Sequence, residues 1–305
     1  MWKGLVSNMN DMEDMLMLPL AKFYTKILRY ERGIYMKKIL KSLLITGLLV
    51  LGLSGNLLSI LATDKVSVGV VSDNELAVWE YVADKAAEEG IDLEVTQFTD
   101  YIQPNEALSN GSLDLNAFQH TAFLNDWNEA NDGDLEALGF SYVSALGAYS
   151  QKVNSLDELE EGALIAIPND PTNGGRALLL LQLAGLIKVD EASGVLATID
   201  DITENPNNLV FEELDAAQVA ISMADVDVAI INTNFAIDNN LSLEDAIFVD
   251  TEEPAKLSEE YKNVIAVKAE NKDKAVLKKI VQIYQSEEVA QKILETSKQA
   301  DVAAW

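Results

Sequence analysis

Between residues 164 and 182 the chain reads Leu-Ile-Ala-Ile-Pro-Asn-Asp-Pro-Thr-Asn-Gly-Gly-Arg-Ala-Leu-Leu-Leu-Leu-Gln, and this order leaves the backbone little choice. Residues 164–167 form a short apolar run suited to a buried strand, and Pro168 ends it. Asp170 supplies a helix cap, and Pro171 fits the first helical position, where its missing N–H costs nothing. A helix therefore starts near residue 171 or 172, with its free amides and positive dipole end at the carboxyl edge of the strand. Residues 178–181 are apolar on nearly every side of that helix, so it is expected to be buried. Arg176 lies about one turn in. A cation there is mildly opposed by the helix dipole. Either Arg176 is an ordinary first-turn residue, or it is kept to present a bidentate fork to an anion such as a carboxylate.

The rest of the chain repeats this strand-to-helix alternation, which is the pattern of an α/β fold. Residues 66–71 read as a strand, Ser72 to Glu75 as a capping box, and residues 76–89 as an amphipathic helix closed by Gly90. Further strands are expected at 93–98, 113–117, 209–213, 226–231 and 264–267, with one or two extended segments in 135–149. Helices are expected at 104–109, after His120 through Trp127, from 155 behind a second capping box, from Asp215, and over 272–298. Ligands in open α/β sheets bind at the carboxyl ends of strands. Residues 118–120, 169–176 and 232–234 all fall there. The 128–139 segment carries an Asp-Gly-Asp turn, but Ala130 and Gly139 stand where a calcium loop needs oxygen ligands.

Composition excludes several chemistries. The 305 residues contain no cysteine and one histidine, so thiolate catalysis, disulfides and Cys- or His-rich metal sites are ruled out. No nucleophile–base set is apparent, and neither a cofactor nor a metal is expected. The chain is not read as an enzyme. Residues 64–305 hold 14 Lys/Arg against 46 Asp/Glu, a charge of −32, which disfavours nucleic acid and anionic lipid as partners.

The N-terminal part reads as targeting sequence. Met36-Lys-Lys-Ile-Leu-Lys41 followed by an apolar run is a basic region and hydrophobic core of an export signal, so translation is expected to start at Met36, with 1–35 an upstream extension outside the fold. Residues 42–62 carry no charge over 21 positions, enough to span a bilayer if the segment is not cleaved. Two readings of 36–63 therefore stand: a cleaved export signal, or a membrane anchor with the remainder of the chain outside the cytoplasm. Leu53-Ser54-Gly55-Asn56 resembles a bacterial lipobox with Asn56 where the lipidated cysteine would stand, so no lipidation is expected at that position.

Several motifs occur in one order: Asp100-Tyr101, Gln103 to Leu108, Asp114-Leu-Asn-Ala-Phe-Gln-His120, Tyr149-Ser150, Ser155 to Leu159, Ile167-Pro-Asn-Asp-Pro-Thr-Asn173, Arg176-Ala-Leu, Asp225-Val-Asp227 and Ile231-Asn232. With them the chain resembles, over roughly 66–270, the NlpA/MetQ-type methionine-binding lipoproteins, the substrate-binding components of ABC importers. The resemblance implies an α/β, type II periplasmic-binding-protein-like fold, with two lobes joined by two crossovers and the ligand in the cleft. Lobe 1 would comprise 64–148 plus 246–305, and lobe 2 149–245. It further implies capture of L-methionine outside the cytoplasm and delivery to an ABC permease, while the uncharged run at 42–62 is what leads to the expectation of a membrane tether through the N-terminal segment.

By the same resemblance, Arg176 would hold the ligand carboxylate, and Asn169 and Asn232 its polar head, with Asn234 a close competitor of Asn232. Phe118, His120, Tyr142 and Tyr149 would wall the thioether chain. Two departures bear on ligand and role. Ser144-Ala145 stands where the family commonly has a proline, which leaves room for a methionine-containing dipeptide, D-methionine or another apolar amino acid. Asn56 leaves room for a surface or adhesin protein that kept the fold without transport.

Overall fold

The computed structural model describes residues 63–305. The upstream extension, the export or anchor segment up to residue 62, and Asn56 lie outside the described residues. Among the described residues no helix is long and apolar enough to cross a membrane.

The strands, in chain order, are β1 (Asp64–Val70), β2 (Ile91–Gln97), β3 (Leu115–His120), β4 (Leu135–Phe140), β5 (Tyr142–Ser144), β6 (Leu146–Tyr149) and β7 (Leu164–Pro168). They continue as β8 (Lys188–Val189), β9 (Ile202–Glu204), β10 (Val210–Leu214), β11 (Val228–Asn232), β12 (Phe248–Val249), β13 (Asn263–Lys268) and β14 (Asp301–Ala303). The α-helices are α1 (Asp73–Glu88), α2 (Gln103–Ser109), α3 (Thr121–Asn131), α4 (Pro171–Leu183), α5 (Ala216–Val219), α6 (Thr233–Asp238), α7 (Ala275–Tyr284) and α8 (Glu287–Thr296).

Two five-stranded sheets result, ordered β2-β1-β3-β13-β4 and β10-β7-β11-β6-β12. In the first, β1 runs parallel to β2 and β3, and β13 is antiparallel to β3 and β4. In the second, β7 runs parallel to β10 and β11, and β6 is antiparallel to β11 and β12. The chain passes from the first sheet to the second between β4 and β6 and returns between β12 and β13. Strand β6 begins at Leu146 and β12 ends at Val249, so the second sheet takes in a few residues on either side of the 149–245 span expected for lobe 2.

Each sheet has its own core. Val66, Val68 and Val70 pack with Val78, Trp79 and Val82 of α1 and with Leu277, Ile280 and Tyr284 of α7. The Trp79 and Tyr284 rings stack 4.8 Å apart. In the second lobe Ile165, Ile167, Leu178, Leu181 and Ile230 form the corresponding centre. Helix α4 lies unusually close to the chain at Val195, where a Cβ placed on Gly175 would come 2.3 Å from the Val195 carbonyl oxygen. The second glycine of the Gly174-Gly175 pair is thus a packing requirement.

Local signals translate unevenly into elements. The Ser72–Glu75 capping box forms as expected, and so does the Asp170–Pro171 start of α4. The helix expected from residue 155 is only a 3-10 turn, Leu156–Glu158. Leu159 is already extended, and Gly162, at φ +79°, turns the chain into β7. Helix α5 is likewise a single turn continued by a 3-10 segment. The 272–298 tail divides into α7 and α8, because Gln285 leaves helical geometry and Ser286 caps a new helix by accepting the Val289 N–H. Strand β14, beyond that tail, has no counterpart among the expected elements and pairs with β5 at the first crossover.

Candidate ligand-binding site

Strand β3 runs to His120, which caps α3: its Nδ1 accepts the Phe123 N–H at 3.1 Å. Nδ1 being the acceptor, the ring proton sits on Nε2 and points to Asn173 Oδ1 at 3.3 Å. Burial first, and then the nearby Arg176 charge, lower the His120 pKa to about 4, so the imidazole is neutral at pH 7.

Asn173 occupies the first turn of α4, three residues before Arg176 and therefore on the same face. Its Nδ2 donates to both Asp170 carboxylate oxygens, at 3.1 and 3.0 Å, while its Oδ1 also accepts Asn232 Nδ2 at 2.8 Å. Every polar position of that amide is used, so Asn173 fixes His120 and Asn232 relative to each other across the two lobes.

These groups border an empty space of about 460 Å³, part of it open to solvent, lined by residues of both lobes. Phe118, His120, Tyr142, Arg176 and Asn232 of the expected set line it. Tyr101, Phe118 and Phe123 form an aromatic corner with centroids 5.7–5.9 Å apart. The Tyr142 hydroxyl is turned away, donating to buried Glu75. Tyr101 donates to Asn234 Oδ1 at 2.7 Å. Burial, with the Glu75 charge second, raises the pKa of both phenols, which therefore remain protonated donors.

Two expected residues fall outside this space. Tyr149 is 1% exposed and packs with Ala166, Ile231 and Phe235 beneath it. Asn169 is exposed, and only its backbone is engaged, donating to the Leu214 carbonyl at 2.8 Å. The geometric reason is that Asn169 precedes the helix cap, whereas Asn173 shares the Arg176 face of α4. Asn173, Tyr101 and Phe123 are lining residues absent from the expected set. For Asn173 the i, i+3 spacing to Arg176 was a usable signal, as was the same spacing of Phe123 from His120.

Arg176 also differs from the free fork expected of it. Its Nε and Nη2 both reach Asp250 Oδ2, at 2.8 and 2.7 Å, and Nη2 donates to the Ser144 carbonyl at 2.9 Å. Only Nη1 takes no protein partner among the described residues. Two further polar atoms at the space are buried without a partner: Asn232 Oδ1, an acceptor, and Asn234 Nδ2, a donor. Buried polar groups normally find partners, so these two atoms mark where something polar belongs. Among the described residues no cluster of His, Cys, Asp or Glu is arranged to hold a metal.

Two sheets with parallel centres, joined by crossovers and enclosing a site between them, define the two-lobed substrate-binding fold of type II. A methionine-bound nutrient-binding protein from Burkholderia cenocepacia superposes with a TM-score of 0.75 at 43% identity, over 79% of this chain and all of that one. The crystal structure of the methionine-binding protein MetQ gives 0.76 at 41% identity, over 80% and 99%. The D-methionine-binding lipoprotein MetQ of Yersinia pestis is 45% identical over 233 residues, 75% of this chain and 84% of the relative. The NlpA lipoprotein family model matches residues 66–305, and the chain belongs to that family.

Proposed function

We propose that this protein is a non-enzymatic binding protein that captures methionine between its lobes outside the cytoplasm and hands it to an ABC permease. The observation that carries the reading is the pairing of unpartnered atoms at the cavity. Asn232 Oδ1 suits an ammonium group, while Asn234 Nδ2 and the Arg176 Nη1 edge suit a carboxylate. A free α-amino acid carries both groups on one carbon. The aromatic corner of Tyr101, Phe118 and Phe123 receives the side chain, where a thioether gains about 0.3–1.5 kcal/mol against ring edges. The methionine named for the Burkholderia and Yersinia proteins agrees with this chemistry. The Yersinia name makes D-methionine the second ligand to consider.

In this reading Phe118, His120, Tyr142, Arg176 and Asn232 act in binding, joined by Tyr101, Phe123, Asn173 and Asn234. Lobe 1 is formed by the residues flanking 149–245 and lobe 2 by that span, with closure excluding water from the Arg176 contact. Tethering through the N-terminal segment is part of the same proposal. The test is mass spectrometry of the small molecule released when purified protein is denatured. The expected species is methionine, with none retained by Arg176→Ala. A different amino acid, or equal retention by the variant, overturns the assignment.

A further inference from the structure

Arg176 belongs to lobe 2, yet every group that holds its guanidinium lies at a crossover. Ser144 ends β5, Asp250 directly follows β12, and Tyr261 stands just before β13. The Asp250 carboxylate has two tasks. Oδ1 accepts the Leu146 N–H at 2.8 Å, and the Asp250 N–H donates to the Leu146 carbonyl at 3.0 Å, which ties the two crossovers together. Oδ2 takes Nε and Nη2 of Arg176. The guanidinium carbon sits 4.6 Å from the centre of the Tyr261 ring, and that ring meets His120 of lobe 1 edge to face at 6.1 Å. A guanidinium has five N–H groups. Three are committed to Asp250 and Ser144, and the Tyr261 ring covers one face.

We propose that Asp250 and Tyr261 are positioning residues that mount Arg176 on the junction of the two crossovers, so that a ligand carboxylate is met by the Nη1 edge alone. The ligand then binds end-on, to an arginine whose side-chain freedom is already lost before binding. Because the mount is made of crossover residues, the position of Nη1 is tied to the relative setting of the lobes. Carboxylate capture and lobe closure are thereby one geometric event. This rests on the methionine-binding reading given above.

The test has one arm without ligand and one with it. Arg176 is the only arginine in 63–305, and Arg29 and Arg32 precede that span, so a spectrum of Arg176→Lys assigns the Arg176 Nε–H signal by its disappearance. In ligand-free protein that proton is expected to exchange slowly with solvent, and to exchange quickly in Asp250→Asn. In titrations with L-methionine, Asp250→Asn and Tyr261→Leu are expected to raise Kd about tenfold and fivefold, each with a charge or ring contact removed. Tyr261→Phe, which keeps the ring face, is expected to restore binding to within about twofold.

Rapid Nε–H exchange in the unmodified protein overturns the mount. So does an Asp250→Asn variant that binds as tightly as the parent or more tightly, since Asp250 would then merely compete with the ligand. An Asp250→Asn variant that melts far below the parent leaves the decision to the Tyr261 pair, where equal affinity of Leu and Phe variants overturns it. Slow exchange in a parent protein that binds no methionine supports the mount and removes the methionine reading instead.

Discussion

Glu75 offers a perturbation whose sign and size both follow from its surroundings. It is buried beside the first crossover, where Oε2 accepts the Val71 and Ser72 N–H groups at 2.8 and 3.2 Å, and Oε1 accepts the Tyr142 hydroxyl. Burial outweighs these donors and raises its pKa from 4.5 to about 7. The folded state therefore holds the proton more tightly than the unfolded chain does. The stabilisation this gives is fully present below pH 4.5 and is lost as pH rises through 7. At 1.36 kcal/mol per pH unit, the loss amounts to about 3 kcal/mol. Glu75→Gln reproduces the protonated acid: its carbonyl accepts the two backbone N–H groups, and its NH₂ donates to the Tyr142 oxygen. Urea unfolding of both proteins from pH 4.5 to 8.5 isolates the contribution by difference, which removes the slope common to both from the acidic surface. The variant should gain about 3 kcal/mol relative to the parent across that range, a relative shift in melting temperature of roughly 6–12 °C. A variant destabilised by the same amount at every pH would refute the reasoning, because Glu75 would then be ionised throughout and held by its three donors.

Two further outcomes follow from single contacts. Gly175→Ala places a Cβ 2.3 Å from the Val195 carbonyl, a backbone atom that cannot swing aside, so unfolding by denaturant should show a loss of about 1–3 kcal/mol. Asn173→Ala leaves Asn232 Nδ2 and His120 Nε2 without their common acceptor. Calorimetry should register at least a tenfold rise in Kd for methionine, about 1.4 kcal/mol, and thermal unfolding a lowered melting temperature from the two buried donors left unpaired.

What could be read from the chain was set by the range of the interactions involved. The strand, cap and helix around Arg176 follow from neighbours within a dozen residues, and β7 and α4 form where Pro168, Asp170 and Pro171 place them. Phe118 and His120 reach the cavity because they end a strand, and strand ends are legible. Asn169 and Asn173 were separable only by helical phase, which depends on the exact cap residue. Tyr149 is an alternating strand residue, and its burial among Ala166, Ile231 and Phe235 comes from packing between distant segments. The hold on Arg176 was least legible, since Asp250 lies 74 residues away and reaches it only once both crossovers are in place. Strand β14 is similar: three residues of modest propensity are fixed by pairing with β5. In the other direction, the capping box at Ser155 promised a helix that the following extended Leu159 and the turn at Gly162 do not allow.

The most direct test of the account is a calorimetric titration of L-methionine, and separately D-methionine, into protein unfolded and refolded to strip any resident ligand. Saturable one-to-one binding of methionine at micromolar affinity or tighter is expected, abolished in Arg176→Ala. Absence of saturable heat with either enantiomer, from a refolded protein that melts cooperatively, would contradict it.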